Sequence, residues 1–154
     1  MKLLLLLLLA TSTCFAQDCK ADLRTQYDKA TLTTNTNTPA GKQLALVRMV
    51  KGNDTSYYFS CYVLGQSLTD TRKGMRVRFT DNSTFEDANA VISVRENPKS
   101  TGHLYACRVK VSRDVVYEFS QKIVADMTLD GHTEDAKVKQ GQKFKCWASA
   151  MLSN

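Results

Sequence analysis

Cysteines are the residues of this chain whose type and spacing best suit chemistry, and the chemistry they suit is cross-linking. Of the five, Cys14 falls in an apolar leader, which leaves Cys19, Cys61, Cys107 and Cys146. An even number of cysteines in an exported chain predicts disulfides, here two. Strand parity chooses among the possible pairings. In SYYFSCYVLG the residues Tyr57, Phe59, Cys61 and Val63 share one face, and in HLYACRVKV so do Tyr105, Cys107, Val109 and Val111. Both thiols therefore point to apolar surfaces. The simplest pairing joins Cys61 to Cys107 across the interior and Cys19 to Cys146 between the two ends of the domain. The alternative for the first pair is two buried free thiols that pack without bonding. A nucleophilic thiol needs a base or cation to depress its pKa, and apolar strands supply neither.

The second constellation is cationic. Arg76 and Arg78 alternate with Met75, Val77 and Phe79, while Arg108 and Lys110 alternate with Cys107, Val109 and Val111. If those strands are neighbours, four cations gather on one outward face, suited to an anionic glycan, a lipid phosphate or an acidic protein. The plain alternative is four solvated positions of the kind any half-exposed sheet carries. His103 shares the apolar parity of Tyr105 and reads as an edge-of-core residue; His132 follows a glycine and reads as an exposed turn residue. Neither has a partner at metal-ligand spacing, so no metal or other cofactor is expected. Glu86-Asp87 point to opposite faces of a strand, and Glu134-Asp135 suit the positive end of a helix. No HExxH, GxSxG or phosphate-cradling glycine loop occurs, and the seven glycines are scattered at turns. No catalytic residue is nominated, and the expectation is a protein that is not an enzyme.

These residues need a compartment and a scaffold. MKLLLLLLLATSTCFA has one basic residue, a leucine run and a small-x-small ending, Cys14-Phe15-Ala16, before the polar Gln17-Asp18. That layout predicts a signal peptide over residues 1–16 and a single β-rich domain over 17–154. The apolar run falls short of the roughly 20 residues that span a bilayer, so no transmembrane segment is expected. Periplasmic or secreted location follows. The formal net charge of +6, one unit of which is Lys2, permits anionic partners. No basic stretch interleaved with aromatics points to nucleic acid.

The scaffold reads as mainly β, in the α+β class. Thr31 to Gly41 is Thr/Asn-rich and reads as a loop. Strands follow at Leu44 to Val50 and Tyr57 to Leu64, then a turn-rich stretch from Gly65 to Gly74. MRVRFTDNSTFE reads as a hairpin turning at Asp81-Asn82-Ser83. Ala88, Ala90, Ile92 and Val94 mark a further strand, Asn97 to Gly102 a loop, and Leu104 to Val111 another strand. Ser112 caps a short helix, RDVVYEFSQ, with Asp114 in its first turn. A strand from Ile123 to Leu129 stops at Asp130-Gly131, and Thr133 caps a final helix. Gly141, Phe144, Trp147, Ala148 and Met151 form the stripe on which that helix docks, with Cys146 on its flank. The predicted architecture is an antiparallel sheet or flattened sandwich with a short helix and a C-terminal covering helix.

Asp18-Cys19-Lys20, Tyr58-Phe59-Ser60, the run Val77 to Phe85 and Lys143-Phe144-Lys145-Cys146 together give an order of elements that resembles a family of small, exported, functionally uncharacterised proteins of Bacteroidetes-type bacteria. The resemblance spans nearly the whole chain after the leader and rests on hairpin and helix-docking residues. It implies the fold and supplies no catalytic residues. The function expected is therefore that of an exported, non-enzymatic β-domain, an envelope-associated binding or structural module. The alternative is a secreted enzyme or enzyme inhibitor using the loops at Gly65 to Gly74 and Asn97 to Gly102.

Overall fold

Alternating apolar and polar residues write the strands, and a computed structural model of the chain shows how they assemble. It describes residues 19–68, 71–97 and 101–153. The leader lies outside the described residues, as do Thr69-Asp70 and Pro98-Lys99-Ser100 of the two predicted loops. A helical turn at 19–22 precedes β1 (Arg24–Asp28), β2 (Thr33–Asn37), β3 (Leu44–Lys51), β4 (Asp54–Gly65), β5 (Lys73–Phe79), β6 (Thr84–Glu96) and β7 (His103–Val111). Then come α1 (Arg113–Gln121), β8 (Val124–Leu129), β9 (His132–Asp135) and α2 (Val138–Leu152). The spatial order is β1-β2-β3-β4-β7-β6-β5-β8-β9, every neighbour antiparallel. The mainly β, α+β class with a covering C-terminal helix is the observed one.

Strand β6 makes the corner. Its first part pairs with β5 through Glu86 and Arg76, its last part with β7 through Ile92 and Cys107. Inward positions shift parity along it: Phe85 packs on the core at an odd position, Ala90 and Ile92 at even ones. The shift falls at Ala88-Asn89, where Asp87 Oδ1 accepts from Asn89 N at 2.9 Å, and where the β5 register slips between Lys73 and Met75. Inserted residues of this kind bend a strand and flip its faces. The segment Ala88 to Val94, expected as a separate strand, is thus the continuation of the hairpin strand, and Ala88 is exposed rather than inward.

The bend folds the sheet over its own apolar face. Phe119 of α1 fills the centre, its ring centroid 5.0 Å from Phe59, 5.4 Å from Phe144, 5.5 Å from Phe85 and 5.9 Å from Phe79. Such tilted and edge-on contacts are the favoured aromatic geometries. Ser112 caps α1 as expected, its Oγ accepting from Val115 N at 3.3 Å. The α2 stripe is buried as expected, and Gly141 permits the approach: a Cβ there would stand 2.5 Å from the Val124 carbonyl oxygen.

Two expectations are corrected. Thr31 to Gly41 holds β2 rather than loop alone, and β1 precedes it. Threonine is β-branched and suits a strand despite its polarity; Thr38 Oγ1 accepts from Leu46 N, and Thr25 and Thr36 hydroxyls pair at 3.2 Å. Thr133, Glu134 and Asp135 belong to β9, not to a helix start. Asp130 and Gly131 both have positive φ, 49° and 83°, the two-residue turn that sends a strand straight back along its partner. Helix α2 begins four residues later than Glu134, after Lys137, with no side-chain cap. Glu134 instead accepts from Leu64 N at 2.8 Å, which ties β9 to the end of β4.

Candidate anion-binding site

The four predicted cations form two pairs on two strands. On β5, Arg78 is ion-paired with Asp126 and donates to Asn82 Oδ1 at 3.2 Å, and Arg76 donates weakly to Thr128 Oγ1 at 3.4 Å. On β7, Arg108 stacks over the Tyr58 ring at 4.7 Å, and Lys110 is the register partner of Tyr58. Strand β6 separates the two pairs. The β6 residues that face them, Glu86 for Arg76 and Ile92 for the level of Cys107, are six apart, about 20 Å of extended chain. The structure brings Arg108 and Lys110 together and Arg76 and Arg78 together; it does not bring the pairs together.

Lys110 instead stands at the rim of a concavity of about 450 Å3 where β3, β4 and β7 run out beneath the start of α1. Its other lining includes Arg48, Ser56, Tyr57, Ser112 and Arg113, with Leu152 of α2 closing one side. The local sequence explains the shape. Arg48 falls on the inward parity of Leu44 and Leu46 and is the register partner of Tyr57, so its side chain lies under the sheet rather than over it. Ser112 links the end of β7 to the start of α1, which places Ser112 and Arg113 on the wall of the opening. Among the described residues, Arg48, Lys110 and Arg113 have no carboxylate at ion-pair distance, and Arg48 Nε is buried without a hydrogen-bond partner. A second concavity of about 440 Å3 shares Arg113 and Leu152 and continues along α1 past Tyr117 and Gln121. Tyr117 is exposed there.

Two guanidinium groups and serine hydroxyls on one wall are donors of the kind that suit an oxyanion, since the forked guanidinium matches carboxylate, sulfate or phosphate geometry. Arg48 and Arg113 were not singled out by sequence. The signal for Arg48 was present, a lone charge at inward parity in the apolar run LALVRMV; the position of Arg113 follows only from the packing of α1.

The remaining candidates are elsewhere. Cys19 and Cys146 are bonded, with Cα atoms 5.9 Å apart across 127 residues of sequence. Asp22 reinforces that junction, accepting from Lys143 Nζ at 3.0 Å and Trp147 Nε1 at 3.2 Å, and these donors hold its carboxyl below the ordinary range. Cys61 and Cys107 are free and buried, a correction to the expected second disulfide. They do not face each other across the interior: they are register partners on adjacent strands, Sγ to Sγ 3.5 Å. His103 is half-buried at the start of β7. His132 is not a free turn residue but a partner of Tyr105, ring centroids 4.3 Å apart, with its Nε2 buried and unpaired. Glu86 lies opposite Arg76, and Asp87 caps the bend of β6. No helix among the described residues is long and apolar enough to cross a membrane.

No family model, curated protein or solved structure matches this chain. The chemistry of its own residues therefore carries the functional reading.

Proposed function

We propose that this chain is an exported, non-enzymatic binding module of the cell envelope that holds the anionic groups of a surface polymer in the Arg48–Arg113 concavity. One observation carries the reading: Arg48 and Arg113 line one open cavity, and among the described residues neither has a carboxylate at ion-pair distance. Like charges gathered without a counter-ion favour an anionic partner that arrives from outside. The neighbouring concavity along Asp114, Tyr117 and Gln121 gives an extended ligand an aromatic face and one side-chain amide, with a carboxylate on its wall, which suits a glycan that carries its charges at intervals better than a compact anion. The resemblance to exported β-rich proteins supports the compartment in which such a polymer is met.

The test compares a polyuronate with a neutral glucan by calorimetry at low and high salt. Binding of the polyuronate alone, weakened by salt, is the expected result. Arg48→Met should weaken it about tenfold to a hundredfold, the loss of one charge-assisted interaction. The same substitution leaves thermal stability unchanged or higher, because it removes an unsatisfied donor. Equal binding of both polymers, or a destabilised Arg48→Met with intact binding, would make Arg48 a structural residue and sink the reading.

A further inference from the structure

Three sulfur atoms meet at the corner of the sheet. Cys61 Sγ on β4 and Cys107 Sγ on β7 lie 3.5 Å apart, and Met75 Sδ on β5 stands 3.2 Å from Cys107 Sγ and 4.0 Å from Cys61 Sγ. All three residues are deeply buried, at 3%, 5% and 3% exposure for Cys61, Cys107 and Met75. Simple packing needs only side chains of this size. Here three strands each deliver a soft, polarisable donor to one point. We propose that Cys61, Cys107 and Met75 form a three-coordinate site for a soft monovalent metal ion, Cu(I).

The donor set selects the metal. Thiolate and thioether together favour Cu(I), whereas Zn2+ takes four nitrogen, oxygen or sulfur ligands. Among the described residues no set of three His, Cys, Asp or Glu side chains stands in position to hold a metal, so no tetrahedral zinc shell is available here. Geometry agrees. At metal–sulfur bonds of about 2.3 Å, the length thiolates make to a first-row ion of filled d shell, a trigonal ion holds its sulfurs about 4.0 Å apart. One edge of the triangle already has that length, and the other two must open by less than about 1 Å, a small rotation of unbranched side chains.

Loading breaks two S–H bonds and forms two copper–thiolate bonds, with both protons released to solvent. Met75 donates a lone pair, and copper stays Cu(I) throughout. Oxidation to a disulfide would consume both donors, so the dithiol is the competent form.

The experiment uses the chain with Cys19–Cys146 closed and Cys61 and Cys107 reduced, verified by thiol alkylation and mass. Cu(I) is offered anaerobically in competition with a chromophoric chelator. One Cu(I) per chain should be withdrawn, with a sulfur-only shell by X-ray absorption. Cys107→Ala should abolish the withdrawal. Met75→Leu conserves core volume, so the fold survives, and should weaken affinity about tenfold or more, at least the loss that follows removal of an outer-shell partner. The proposal is overturned if the reduced chain withdraws no copper, if either variant withdraws it as well as the parent, or if the two thiols cannot be held reduced in the folded chain.

Discussion

The two cysteine pairs of this domain occupy opposite kinds of place. Cys19 and Cys146 lie 127 residues apart in sequence and join the first helical turn to the last helix, at the edge of the core, with Cys19 buried and Cys146 partly so. Cys61 and Cys107 are ladder neighbours already held together by β4 and β7, in the middle of the core. A bond between distant residues removes a large loop's freedom from the unfolded chain, whereas contact between ladder partners adds little that the hydrogen bonds have not fixed. The same residue type therefore does entropic work at one site and packing, or ligand, work at the other.

The strongest way to break this contrast is to open the Cys19–Cys146 bond. Cys19→Ser with Cys146→Ser should cost up to about 4–5 kcal/mol on the chain-entropy account, against about 1 kcal/mol for the small truncation Cys61→Ala. Denaturant midpoints compare the two, and near-equal losses would show that the ladder pair carries more than packing.

A smaller effect is expected where the bonded helix meets the sheet. Gly141→Ala places a methyl group against the Val124 carbonyl and should cost about 1–3 kcal/mol by overpacking, partly offset by the better helix propensity of alanine. A stabilised variant would mean that α2 is held off the sheet and that the disulfide, not the stripe, positions it.

The smallest effect is electrostatic. The carboxyl of Asp22 is depressed by Lys143 and Trp147, so its contribution is present above the unfolded value of about 3.9 and is lost as pH falls through the lower folded value. The stability difference between the parent and Asp22→Asn should be constant from about pH 5 to 8, begin to shrink only once pH falls below the unfolded value, and reach its acid limit beneath the lower folded value. A difference that grows on acidification would reverse the sign and detach Asp22 from the junction.

Much of this was legible in the residues. A continuous apolar run marks β3, alternation marks β4, β5, β7 and β8, the Ser112 cap marks α1, and the apolar stripe marks the buried face of α2. The misses have physical causes. Composition marked Thr33–Asn37 as loop because its polar side chains suit an edge, while threonine's branched Cβ suits a strand. Asp130-Gly131 was seen as a stop, although two successive residues that tolerate positive φ also dictate a return strand. The cation pairs were separated by something parity cannot encode, the order in which strands lie side by side. Arg48 is a lone charge in an otherwise apolar run, and only the end of the sheet shows that it borders an opening.

Strand β6 has a consequence for how the domain comes apart. One continuous segment pairs with β7 at one end and β5 at the other, so neither part of the sheet can separate while the other stays whole. Ala90 and Ile92 sit at that junction with their side chains in the shared interior, while Val91 between them faces solvent. Their amide hydrogens should exchange only through complete unfolding, at the rate of the slowest class in the chain, while those of the exposed β1 edge exchange through local fraying. The bend thus acts as a suture: it makes two faces of one sheet a single cooperative unit.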